Sequence, residues 1–148
     1  MSTSSSMLKH QASLLKESIR EKNSEEVLSY FADNCEMEIS DLHLIGKESV
    51  SRLLNLIFRI FDELDFEPVT IAASNNTLFE EGIYRARKES RQHYKFKTTE
   101  VINYVDNKIE SMRLYLDRLI LADAVSINNE EKKAVNKINY LLLKEFLI

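Results

Sequence analysis

Cysteine occurs once in this sequence, at Cys35, so no disulfide can form within the chain and a reducing compartment, the cytoplasm, is the expected setting. Glycine occurs only at Gly46 and Gly82, which leaves no glycine-rich loop to cradle a phosphate. The histidines, His10, His43 and His93, have no metal-ligand spacing, and neither a metal site nor a cofactor is expected. No stretch approaches the roughly 18 apolar residues of a membrane span, and Met1 to Ser6 lack the apolar core of a signal peptide. Acids outnumber bases to a formal charge of −4, whereas a nucleic-acid binder usually needs a concentrated basic surface. The run Arg85, Arg87, Lys88, Arg91, His93, Lys95, Lys97 spans a hairpin and reads as its solvated face. Neither nucleic acid nor membrane is therefore an expected partner.

What is present describes one folded domain. With 44% hydrophobic and 30% charged residues, a chain of 148 has enough apolar surface for a single core. Residues 1–6 read as a disordered start, 7–118 as the domain and 119–148 as a helical extension. A first helix is predicted from Met7 to Lys22 by the stripe Leu8, Ala12, Leu15, Ile19. Asn23, with Glu26 at the capping-box position, begins a second, with Val27, Leu28 and Phe31 inward and Ala32-Asp33-Asn34 at its close. Cys35, Met37 and Ile39 then alternate with Glu36, Glu38 and Ser40, as in a half-buried strand. After Gly46 a third helix runs to about Asp62, with Val50, Leu53, Leu54, Ile57, Phe58 and Phe61 on its inner face.

Four strand candidates follow, over 66–73, 78–87, 94–105 and 109–117, with Pro68 favouring an edge or a strand start. Asn75-Asn76-Thr77 fits a glycosylation acceptor but reads better as a turn. Asp106-Asn107 tolerates positive φ and should join the last two strands as a hairpin. Asn128, with Glu131, can cap a last helix striped by Ala134, Val135, Ile138, Leu142 and Phe146 and widened by Leu141, Leu143, Leu147 and Ile148. Helices followed by an antiparallel run of strands give an α+β fold with the helices on one sheet face.

Three ordered segments resemble the nuclear transport factor 2-like superfamily, and within it the SnoaL-like group. They are Asn23-Ser24-Glu25-Glu26-Val27-Leu28-Ser29-Tyr30-Phe31-Ala32-Asp33, Ile45-Gly46-Lys47-Glu48-Ser49-Val50 and Asn107-Lys108-Ile109-Glu110-Ser111-Met112-Arg113-Leu114-Tyr115-Leu116-Asp117. The resemblance, over roughly residues 8 to 118, implies a cone. A curved, mostly antiparallel sheet wraps about three N-terminal helices, with a cavity at the wide end, and the extra C-terminal helix follows. It also implies a homodimer through the outer face of the sheet. Catalytic sets of that superfamily do not carry over. The ketosteroid isomerase base, tyrosine and acid positions fall on Ile39, near Leu15 and on Glu100. The epoxide hydrolase Asp-Arg-Asp positions fall on Leu114, Ile83 and Arg85.

Glu100 remains the leading candidate. In Tyr94, Phe96, Thr98, Glu100, Ile102, Tyr104 it shares a face with aromatic and aliphatic neighbours, where a carboxyl should titrate high and serve as acid or base. The alternative is an ordinary glutamate satisfied by Arg85 or a tyrosine. Asp41 continues the inward parity of the first strand and, with His43 as an oriented base, is a possible assistant. Arg85 faces Glu100 if Phe79 and Ile83 are inward, and solvent if Leu78 and Tyr84 are. Ile39, Arg85, Phe96, Ile102, Tyr104 and Leu114 are the expected ligand contacts, for a small, largely apolar or aromatic molecule. The expectation is a SnoaL-like pocket protein, with or without acid–base chemistry of the isomerase, cyclase or dehydratase type. The alternative is a non-catalytic dimeric module filled by its own side chains.

Overall fold

The computed structural model describes residues 4–89 and 91–144, with side chains for all of these except residues 139 and 142. Two compact units divide at Leu116 and Asp117. The first holds α1 (Ser5–Arg20), α2 (Ser24–Ser29), β1 (Phe31–Ile39), β2 (Leu42–Ile45), α3 (Gly46–Ile60), β3 (Glu63–Ser74), β4 (Thr77–Arg87), β5 (His93–Val105) and β6 (Lys108–Leu116). The second holds α4 (Arg118–Val125) and α5 (Asn129–Leu143).

The helices start where side chains can satisfy free backbone N–H groups. Ser4 Oγ accepts from Met7 N and opens α1, so the helix begins ahead of the expected Met7 and takes in residues read as disordered. Asn23 Oδ1 accepts from Glu26 N at 3.1 Å, and Glu26 returns the contact by accepting from Asn23 Nδ2 at 3.2 Å. Helix α2 closes at Ser29, so Phe31 is the first residue of β1 and not the last of a helix. Gly46, at φ +82°, takes the turn from β2 into α3 that a side chain would strain.

The sheet has the order β2-β1-β6-β5-β4-β3, antiparallel throughout except for the parallel pair β1 and β6. Asp106 and Asn107 both have positive φ, 49° and 61°, and join β5 to β6 as a tight hairpin. Asn75, at φ 54°, does the same between β3 and β4. Helix α1 packs on β3 and α3 on β1, and between them lies one core of Leu8, Ala12, Leu15, Val50, Leu54, Leu78, Ile102, Ile109 and Met112 with Cys35, Met37 and Ile39. Cross-strand register sorts this face into rows. Ile39, Leu114, Glu100, Glu80 and Ile71 form one, from β1 across to β3. Met37, Met112, Ile102, Leu78 and Ala73 form the next.

Residues 119–148 contain two helices where one was expected. Asp117 caps α4 by accepting from Leu119 N at 2.9 Å. Asn128 caps α5 through Glu131 N, as its position predicts, while Glu131 accepts from Ile127 N. Phe146, Leu147 and Ile148, which extend the predicted stripe, lie outside the described residues, as do Met1 to Thr3. No helix among the described residues is long and apolar enough to cross a membrane.

Gly82 sits under the ring of Phe66, where a Cβ would lie 2.2 Å from Phe66 Cζ and 2.9 Å from the Glu67 carbonyl. Gly82→Ala should therefore cost about 2 kcal/mol or more, the overpacking range, by displacing Phe66. Urea denaturation checks this, and Gly82→Ala combined with Phe66→Leu should recover part of the loss.

Candidate functional site

Alternation along β5 turns Tyr94, Phe96, Thr98, Glu100, Ile102 and Tyr104 inward, all buried, and leaves Lys95, Lys97 and Thr99 exposed. On β4 the inward set is Leu78, Glu80 and Ala86, with half-buried Tyr84. Because β4 and β5 pair with Glu80 opposite Glu100, two carboxylates meet on one buried face, 4% and 0% exposed. Adjacent like charges out of water repel and lose hydration, so such a pair needs a cation or a proton.

Helix α1 supplies the cation. Lys16, 6% exposed, stands two turns beyond Leu8 and one beyond Ala12, on the apolar stripe. Its ammonium hydrogen-bonds to Glu100 Oε2 and lies 3.5 Å from Glu80 Oε1. That second contact is an ion pair at the outer edge of hydrogen-bonding distance. Two rings complete the surroundings: the ammonium is 4.4 Å from the Phe66 centroid and 5.2 Å from that of Tyr84. The Tyr84 hydroxyl donates to Glu100 Oε1 at 3.3 Å. The hydroxyl of Tyr104, a residue 3% exposed, is buried with no hydrogen-bond partner among the described residues.

These neighbours set the protonation states. Burial opposes the charge on Lys16, but attraction to Glu100, Tyr84 and Glu80 outweighs it and holds the lysine above its ordinary pKa. Burial, reinforced by Glu100 and opposed by Lys16, raises Glu80. Burial likewise raises Tyr84 and pushes Tyr104 up to about 12. The cluster thus pairs one fixed cation with two carboxyl groups, and burial draws Glu80 toward neutrality.

Of the residues expected at a site, Glu100, Ile39, Phe96, Ile102 and Tyr104 are buried on the inner face, and Leu114 is half-buried beside Glu100. Arg85 is on the opposite face, where it is paired with Glu67 at 2.5 Å, so it does not neutralise Glu100. Asp41 and His43 are exposed, and His43 reaches across from β2 to contact Glu36 of β1 at 3.2 Å. Lys16, Glu80, Phe66 and Tyr84 are the members that sequence reading missed. The signal for Lys16 was a lysine on the stripe of α1, facing an acid on an apolar strand face. Three surface clefts formed by described residues, of about 760, 580 and 360 Å³, lie elsewhere and are not lined by Glu100. No group of three or more His, Cys, Asp or Glu among the described residues could hold a metal ion.

No protein-family model matches the sequence, and no curated protein matches it. Solved structures do. A protein assigned to the SnoaL-like polyketide cyclases, from Jannaschia sp. CCS1, has TM-score 0.73 and 12% identity over 86% of this chain and 97% of its own. A protein of ketosteroid isomerase-like fold from Catenulispora acidiphila, in complex with trimethylamine, has TM-score 0.70 and 9% identity over 81% and 95%. One assigned as an isomerase, from Bacillus subtilis, has TM-score 0.69 and 18% identity over 78% and 89%. The chain thus shares the fold of these proteins, the nuclear transport factor 2-like fold.

Because burial raises the folded-state pKa of Glu80 above its ordinary 4.5, the fold favours its protonated form. Its contribution is fullest below that value and is lost as pH rises through the elevated pKa, with Lys16, Tyr84, Glu100 and Tyr104 as its charged and titratable neighbours. Glu80→Gln should gain stability relative to the parent between pH 4 and pH 8. Urea titrations at each pH check this, and a flat difference would contradict it.

Proposed function

We propose that the domain is a SnoaL-like pocket protein whose interior takes a small, largely apolar molecule carrying one polar group. The observation that carries this reading is Tyr104 Oη, buried among apolar side chains with no hydrogen-bond partner among the described residues. A buried hydroxyl without a partner costs about 1–3 kcal/mol, and such groups commonly mark a place for a ligand or water. The trimethylamine complex of the Catenulispora protein supports the general point that a domain of this fold can hold a small molecule.

In this reading Tyr104 orients the ligand's polar group, and Ile39, Ile102 and Leu114 meet its apolar body. If a proton is moved, Glu80 moves it. Glu100, the carboxyl first favoured for that role, is engaged by Lys16 and Tyr84 and serves to hold the cation. The setting for this activity is the cytoplasm.

A second reading, a non-catalytic dimeric module, draws on a different observation. Glu100 is fully buried under the chain's own Lys16. The outer sheet face meanwhile exposes Val69 at 55%, Phe79 at 46% and Tyr115 at 49%, beside a depression of about 580 Å³. A second copy seated there would cover them.

A thermal-shift screen of small ketones, phenols and alcohols separates the readings. Compounds that stabilise the parent should bind Tyr104→Phe about tenfold more weakly, while unliganded Tyr104→Phe should be as stable as the parent or more so. Failure of every compound would sink the pocket reading. Sedimentation of the parent and of Tyr115→Glu tests the dimer, which the variant should dissociate.

A further inference from the structure

The Lys16 ammonium has recognition groups on several sides. Glu100 accepts its hydrogen bond, Glu80 lies at 3.5 Å, and the rings of Phe66 and Tyr84 face it at 4.4 and 5.2 Å. Salt-bridging a lysine takes one carboxylate. Here there are two, and two aromatic faces, all contributed by strands β3, β4 and β5, while the cation arrives from α1. A pair of carboxylates with aromatic faces is the chemistry by which proteins bind free ammonium compounds. The Phe66 wall is itself built at a cost in sequence freedom, because its ring occupies the space that any side chain at residue 82 would need.

We propose that this part of the interior is an ammonium-binding cage, occupied in this state by Lys16 as a resident internal ligand, and that it takes small apolar alkylammonium compounds in place of that side chain. The inference deepens the pocket reading by naming a ligand class, but it rests on the cage and not on Tyr104. Charge supports the class. Two carboxyl groups with Lys16 removed leave an interior that attracts a cation and repels an anion. Space is supplied by the departing side chain, since truncation at Cβ removes three carbons and an ammonium, the same non-hydrogen atoms as n-propylammonium.

The test uses the full chain with Lys16→Ala. Its melting temperature should fall below that of the parent. n-Propylammonium chloride should restore it saturably, about tenfold or more tighter than 1-propanol or sodium propionate at matched ionic strength. Lys16→Ala with Glu100→Gln should lose that preference. If Lys16→Ala is unfolded in plain buffer, refolding from urea with n-propylammonium gives the same answer: recovery supports the cage and failure overturns it. Equal rescue by 1-propanol overturns the ammonium class while leaving the pocket reading intact. Absence of saturable rescue in a folded Lys16→Ala, or preference retained without Glu100, overturns the cage itself.

Discussion

Two carboxyl groups facing inward from adjacent strands form the constraint around which the first unit is arranged. Glu80 and Glu100 are cross-strand partners, so their proximity is fixed by the ladder and cannot be relieved by a change of rotamer alone. The charge must be compensated from the helical layer, and α1 does so with Lys16. From this follow the position of α1 on β3, the hydrogen bond of Tyr84 to Glu100 and the packing of Phe66 over Gly82. A buried ion pair of this kind is a poor source of net stability, because desolvation of the charges offsets most of their attraction. Its value is specificity. It fixes which turn of α1 meets which residue of the sheet, since a shift by one residue would carry Lys16 away from both acids.

The polar cluster and the apolar core share a single face, and the rows of the sheet keep them apart. Glu80 and Glu100 stand in the row flanked by Leu114, Ile39 and Ile71, while Ile102, Leu78, Met112 and Met37 form the dry row beside it. This is a different arrangement from the catalytic sets of the superfamily to which the sequence shows a resemblance. Where those would need proton-transferring groups at Ile39 and Leu114, this chain has hydrocarbon. Glu100 keeps a carboxyl where the resemblance places the isomerase acid, but its companions are Lys16 and Glu80, so the buried ionisable groups form a different set on the same scaffold.

Much of the architecture was legible in the sequence because its signals were local. Asp106-Asn107 specified a hairpin through positive φ, Asn23 and Asn128 specified caps, and β5 announced both of its faces by alternating Lys95, Lys97 and Thr99 with aromatic and aliphatic residues. Strand β4 was ambiguous. Leu78, Glu80, Gly82, Tyr84 and Ala86 alternate with Phe79, Glu81, Ile83, Arg85 and Arg87, and each set mixes apolar with charged residues. Only pairing with β5 decides between them, and it places Arg85 outside. Lys16 was hidden for the opposite reason. A lysine on a helix is ordinarily solvated at its tip, and what buries this one lies 84 residues away along the chain. Phe31 was misread at a boundary, where the end of one pattern and the start of another overlap, and α4 was missed as a separate helix.

The parallel pairing of β1 with β6 sets an order in time as well as in space. As the chain is synthesised, β1 and β2 emerge early and can pair with each other, but the other edge of β1 has no partner until β6 has been made. Met37 and Ile39 therefore wait for the last strand before their rows are complete, while Lys16 waits only for Glu80 and Glu100 on β4 and β5. The sheet closes between its first strand and its last, so a chain stalled before β6 would expose the first strand's free edge, and one stalled before Glu80 an uncompensated lysine as well.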